Sequence, residues 1–204
     1  MHAIRNISFI LALLLAAQIS FAEDEFFIHA KLGVRSGFGA SLLRHHVKLE
    51  NLKQTPSIAY SAGLIAQIDL SDNLSISPEL QYSAYNSSAE KVRKNEDYFD
   101  QLIEVGAELH ALELPLLVRY DFGGIYAEAG PQVGWNFSSK VYINADYYCP
   151  DLNPFAFGIA AGFGKESYGI LLLGMRGYFG ILEYAKDAKG VPWSLQASLS
   201  AFLF

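Results

Sequence analysis

The sequence is poor in the features most function classes depend on. It holds one cysteine in 204 residues, so no intramolecular disulfide can brace the fold. That residue, Cys149, lies in YYCPDLNP, which reads as a loop, and no histidine stands near it in sequence to make it a catalytic thiol. Charge is scarce, at 18% of residues, against roughly 25% in ordinary soluble domains. The net charge of −6 gives no support to nucleic-acid binding, which requires a basic stripe. Beyond the N-terminus there is no long apolar run. A spanning helix needs about 20 consecutive apolar residues. The nearest candidate, GILLLGMRGYFGIL at 169–182, is interrupted by Arg176 and by Gly174, Gly177 and Gly180. No G-x-S-x-G, H-E-x-x-H, P-loop or paired-cysteine pattern occurs, which leaves no recognisable nucleophile, zinc site or phosphate cradle.

What is present is apolar, aromatic and glycine-rich: 14 Phe, 12 Tyr and 17 Gly. Residues 1–22 read as a signal peptide. His2 and Arg5 form a weakly basic start, Ile7 to Ala17 an apolar core, and Ser20 and Ala22 the small residues of a cleavage site. Residues 23–204 then form one domain, long enough for a single core.

Along that domain, apolar and polar residues alternate with period two, the mark of strands with two different faces. Eight such segments stand at 26–38, 58–70, 74–85, 112–120, 125–137, 155–164, 168–181 and 193–204. The fourth is representative: Leu112, Leu114, Leu116, Val118 and Tyr120 share one face, and Glu113, Pro115 and Arg119 the other. The turns SDN at 71–73, DFGG at 121–124 and KES at 165–167 are short. They alternate with long polar connections at 39–57, 86–100, 138–154 and 182–192. Short turns at one end and long loops at the other, on an even number of strands, characterise transmembrane barrels, whose short turns face the periplasm. The expected fold is an all-β, eight-stranded antiparallel up-and-down transmembrane barrel in the outer membrane, with both chain ends periplasmic.

A soluble eight-stranded barrel also alternates, but it turns the apolar face inward. Its wetted face here would carry Ala156, Gly158, Ala160, Gly162 and Gly164 on one strand, and Ser194, Gln196, Ser198 and Ser200 on another. Such faces lack the lysine and glutamate of a solvated surface and suit a crowded lumen. Pro115 then belongs at a bulge or at a position unpaired in the ladder. Seven charged residues fall on the inward parity: Lys31, Arg35, Glu79, Glu113, Arg119, Glu128 and Arg176. Charges in a narrow, water-poor lumen must pair, so the expectation is one network of ion pairs that plugs the barrel.

ELPLLVRYDF, followed by YAEAGPQVGW at 126–135, resembles the PorT-like outer-membrane β-barrel family of Bacteroidetes-type organisms. The resemblance implies a small porin-like barrel in lipid and lipopolysaccharide, inserted by the barrel-assembly machinery and serving as an accessory of a secretion system. Phe204 resembles the C-terminal signal that this machinery reads. Phe202 and Phe204 nevertheless fall on the polar parity of the last strand, which a bulge or a change of frame near Ser200 would reconcile.

Chemistry is harder to find. Neither His29 nor His110 has a partner serine in an H-x-S pattern, and the adjacent His45 and His46 sit in the first outer loop. No cofactor, metal or catalytic set is expected. Three function classes stay open: a structural or interaction barrel that works through its outer loops with a protein partner, a lipid A-modifying enzyme, and a small-solute channel.

Overall fold

A computed structural model describes residues 30–45, 52–93, 101–143, 146–186 and 190–203. The expected signal peptide, the start of the first strand at 26–29, His46 and Phe204 lie outside the described residues. The described residues form nine strands: β1 (Ala30–His45), β2 (Leu52–Asp69), β3 (Leu74–Arg93), β4 (Gln101–Asp121), β5 (Ile125–Ile143), β6 (Asp146–Tyr148), β7 (Phe155–Ser167), β8 (Leu171–Gly180) and β9 (Gly190–Phe202). Eight of them form the wall, each antiparallel to its neighbours in sequence order, and β9 returns to pair with β1 from Gly33↔Phe202 to His45↔Gly190. The sheet is therefore a closed eight-stranded antiparallel barrel. The short β6 only folds back on the top of β5. Closure matters because it leaves no edge of unpaired backbone along the wall.

The faces run as the alternation requires. On β4, Leu114 and Leu116 are 52% and 51% exposed, whereas Glu113 and Arg119 are each 1% exposed. The apolar face is outside and the charged face inside. A barrel in water would have the reverse. The inner wall of β7 is made of Ala156, Gly158, Ala160, Gly162 and Gly164. A methyl group added at Gly162 would lie 3.2 Å from a carboxylate oxygen of Glu128, so the small residues are where large neighbours cross the lumen.

Pro115 and Pro131 interrupt ladders without shifting them, whereas the β2–β3 register shifts by one residue just after Pro56. The β3–β4 register passes from Pro78↔Leu116 to Gln81↔Glu113, omitting Leu114 and Pro115. The β4–β5 register passes from Pro115↔Gln132 to Val118↔Ala129, omitting Pro131. Each proline lacks the N–H that the omitted rung would use, and the closed wall holds the strands in frame on either side. Pro115 thus occupies an unpaired position in the β3–β4 ladder, with no bulge.

Three expectations need correction. The outer connections are shorter than 39–57, 86–100, 138–154 and 182–192, because β1, β2, β3, β4 and β5 continue well into those spans. The KES segment is not a turn: Lys165, Glu166 and Ser167 pair with Leu173, Leu172 and Leu171. The turn is Tyr168–Ile170, with Tyr168 and Gly169 at φ 56° and 66°. Polarity at the wet rim of the barrel made a strand end look like a loop. Lastly, the β1–β9 and β8–β9 registers run without a break through Ser200. Phe202 points inward and is 6% exposed, in an apolar cluster with Ile65, Tyr126 and Leu172. Its polar parity needs neither bulge nor frame change, since the inner end of the lumen is itself apolar.

Candidate functional site: a charged and sealed lumen

The lumen is built in layers. At the short-turn end lies the Ile65, Tyr126, Leu172 and Phe202 cluster. At the opposite end Leu43, Tyr85, Ala107, Leu109, Val141, Tyr178, Tyr184 and Ala185 form a second one, with Leu152 packed against it. Tyr184 and Ala185 come from the connection after β8, not from the wall. That connection is tied to the segment before β7: the Asn153 N–H donates to the Tyr184 carbonyl at 3.0 Å, and the Asn153 amide donates to the Glu183 carbonyl at 3.1 Å. The Asn136 N–H on β5 in turn donates to Pro154 at 2.8 Å. The outer mouth is stoppered by these two connections.

Between the apolar ends stands an ionic layer. Arg119 of β4 and Glu128 of β5 are register partners, as are Glu128 and Gly162, and Gly162 and Arg176. Because Gly162 has no side chain, Glu128 and Arg176 meet over it. The Arg176 guanidinium holds Glu79 through two bonds, at 2.6 and 2.8 Å, and its Nε donates to Glu128 at 2.9 Å. Arg119 donates to Glu128 at 2.9 Å and to Gln67 Oε1 at 2.7 Å. Glu79 sits on β3 and Arg176 on β8, so their contact crosses the barrel. Arg35 is more loosely held, 3.7 Å from Glu79 and 3.9 Å from Glu128, with a 3.4 Å hydrogen bond to Ser200. Forked, two-bond guanidinium–carboxylate pairing fixes geometry as well as charge, which makes Arg176 the hub.

Two of the seven inward charges stand apart from this layer. Glu113 is six residues from Arg119 on the same strand, about 20 Å along it, and that distance keeps the two apart. Its carboxylate accepts instead from the Tyr85 hydroxyl at 2.9 Å, from Gln81 Nε2 at 3.1 Å and from the Ser83 hydroxyl. Among the described residues no cation reaches it. Lys31 lies near the short-turn rim, 3.8 Å from Glu166 and 5.9 Å from the Phe202 ring centre. The inward parity of Gln67, Gln81 and Ser83 was visible in the alternation, although their partners were not. Tyr85 and Tyr184 carried no signal, since one lies where the alternation changes and the other on a connection.

Of the histidines, only the side chain of His110 lies among the described residues. His110 is on the outer face, where its Nδ1 and the Tyr82 hydroxyl are 2.7 Å apart. The side chain of His45 lies outside the described residues. The space left in the middle of the lumen, between Arg35, Arg176, Tyr85 and Tyr178, is about 10 Å³, room for one water molecule and no more.

Residues 16–183 match the family model of the outer membrane protein beta-barrel domain. The chain belongs to this family. It is an outer-membrane β-barrel, and its apolar band faces lipid. No curated protein matches the chain in sequence. Among solved structures it is similar to the neisserial surface protein A, with a TM-score of 0.56 and 10% identity over 86% of this chain and 99% of that one. It is also similar to OprG of Pseudomonas aeruginosa, with a TM-score of 0.46 and 12% identity over 86% and 97% of the two chains. Ail of Yersinia pestis gives a TM-score of 0.44 and 10% identity over 84% and 99%. At such identities the likeness is one of fold.

Proposed function

We propose that this barrel is a sealed outer-membrane scaffold that works through its outward extensions on a protein or lipopolysaccharide partner. The observation that carries this reading is the lumen. An ion-paired layer, an apolar cluster toward each end and about 10 Å³ of free space among Arg35, Arg176, Tyr85 and Tyr178 support a lumen that passes no solute. The strands that continue beyond the apolar band give it a raised platform at the outer end, where barrels carry their binding surfaces. On the resemblance of ELPLLVRYDF and YAEAGPQVGW to PorT-like barrels, the partner belongs to a secretion system. Export through the 1–22 signal peptide and recognition of Phe204 by the assembly machinery complete the proposal, and the inward charges serve as plug and brace with no catalytic part, Arg35, Glu79, Arg119, Glu128 and Arg176 as one ionic layer and Lys31 and Glu113 apart from it. The channel reading is tested in planar bilayers. Purified barrel is expected to give no stable open state of porin size, and reproducible large steps would reject the sealed scaffold. Copurification from outer membranes with identification of bound proteins tests the partner.

Orientation has a test of its own. Cys149 is exposed and lies just beyond β6, at the outer end. It is the sole cysteine of the chain. A membrane-impermeant maleimide applied to intact cells is expected to label the protein at this position. Labelling only after the outer membrane is opened would invert the topology.

A further inference from the structure

One register row crosses four neighbouring strands in the middle of the lumen. Arg35 of β1 pairs with Gly63 of β2, Gly63 with Gln81 of β3, and Gln81 with Glu113 of β4. Gly63 has no side chain, so Arg35 and Gln81 face each other across it, two strand spacings or about 10 Å apart at the backbone. Gln81 Nε2 donates to Glu113 at 3.1 Å, which leaves its Oε1 without a bond to a described residue. The Arg35 guanidinium makes one hydrogen bond, to Ser200 at 3.4 Å, and stands 3.7 and 3.9 Å from the carboxylates of Glu79 and Glu128. Both side chains line the mid-lumen cavity of about 10 Å³. Their unbonded polar atoms keep accessible surface there, unlike those of Gln132 beside them. Gln196 lines it too, with Oε1 taken by the Ser61 hydroxyl and Nε2 unbonded. Donors and an acceptor therefore converge on a space of one water molecule, and a buried water typically makes about three hydrogen bonds.

The lumen charges are unevenly divided on either side of this space. The ionic layer sets three guanidinium groups, of Arg35, Arg119 and Arg176, against two carboxylates, of Glu79 and Glu128, leaving one positive charge over. Glu113 carries one negative charge with hydrogen-bond donors around it and no cation among the described residues. An unmatched charge in a dry interior is costly. Joined across the cavity, the two parts match.

We propose that the cavity is a hydration site for one ordered water molecule, which accepts from the Arg35 guanidinium and Gln196 Nε2, donates to Gln81 Oε1, and so joins Glu113 to the ionic layer. Gln81 is the positioning residue, an amide with one arm on each side. The site belongs to the plug and does not depend on what the outer platform binds.

Two measurements test it. A crystal structure of the full-length barrel, fine enough to show ordered solvent, is expected to hold one water within about 3 Å of both Arg35 and Gln81 Oε1. Urea unfolding in lipid vesicles then follows Arg35→Met, Glu113→Gln and their double. Their effects are expected to be coupled by about fivefold or more in the unfolding equilibrium constant, as for residues of one hydrogen-bonded network. In a Gln81→Met background the same cycle is expected to become additive. Empty density at the site would overturn the proposal. So would additivity of Arg35 and Glu113 in the parent, or a coupling that survives without Gln81. If Glu113→Gln does not fold, the density in the parent chain decides alone.

Discussion

Arg176→Ala is expected to lower the stability of the barrel by roughly 3–5 kcal/mol, the range found when one member of a buried ion pair is removed and its partner is left uncompensated. Glu79 loses its only hydrogen-bonded cation among the described residues and Glu128 loses one of its two, because Arg176 holds Glu79 by two bonds and Glu128 by its Nε, while Arg119 keeps its own bond to Glu128. Leu116→Ala removes more apolar volume but faces outward at 51% exposure, where lipid fills the space, so its cost is expected to be well below that. Adding Glu79→Gln to Arg176→Ala removes one stranded charge and is expected to recover part of the loss. The same reasoning separates the partners of Arg119. Arg119→Ala is expected to couple with Glu128→Gln, its 2.9 Å partner, and to be additive with Glu113→Gln, which lies elsewhere in the lumen. The measurement is urea unfolding in lipid vesicles, with double-mutant cycles over these pairs. A neutral Arg176→Ala, or a coupling of Arg119 to Glu113 as large as that to Glu128, would mean that the ionic layer is not what holds the strands in place.

The half of the barrel set in lipid was legible because one physical rule governs it throughout: apolar out, polar in. Above that level the rule inverts. On β4, Ala107, Leu109 and Ala111 turn inward to the apolar stopper while Glu108 and His110 turn outward. The strand continues with its polarity reversed, and a reading tuned to one sign of alternation sees it end. On β5 the change is also geometric. His110 pairs with Ser138 and Ala111 with Asn136, which leaves Phe137 as an extra residue. The bulge moves the inward set from Asn136 to Ser139 and Val141, so the period itself slips. For the charges, the sequence carries the face of each residue but not its height or its neighbours around the wall. Arg119, Glu128 and Arg176 share a rung only because of the register, and Glu113 lies far from them for the same reason. Tyr184 illustrates the other limit. Nothing in GILEYAKD distinguishes a tyrosine that seals the lumen from one on a solvated loop; only the closure of the two connections over the mouth does so.

The second large effect comes from two adjacent residues of β8. Tyr178 is 4% exposed and Phe179 is 46% exposed, so one step along the strand moves a ring from the lumen to the lipid face. Inside, Tyr178 packs against Tyr85 with the rings tilted and their centres 5.7 Å apart, and it sits against Gly158, where an added methyl group would come within 2.5 Å of its ring. No fluid fills the space if that ring is removed. Tyr178→Ala therefore combines lost contacts with a cavity, and a cost of roughly 3–5 kcal/mol is expected, as for large aromatic truncations in packed cores. Phe179 packs edge-on against Trp193 at 5.3 Å, but lipid chains replace most of what Phe179→Ala removes. Its expected cost is about 1 kcal/mol, the size of an aromatic pair contact. The same vesicle unfolding measurement decides between them, and a third variant sharpens it. Gly158→Val drives a branched side chain into the Tyr178 ring and is expected to destabilise by about 1–3 kcal/mol through overpacking, whereas Ile159→Val, its outward neighbour at 49% exposure, should be close to silent. If Phe179→Ala proved the costlier of the β8 pair, the wall would have to be turned inside out. The charged residues would then lie outside, where a hydrocarbon surround could not hold them.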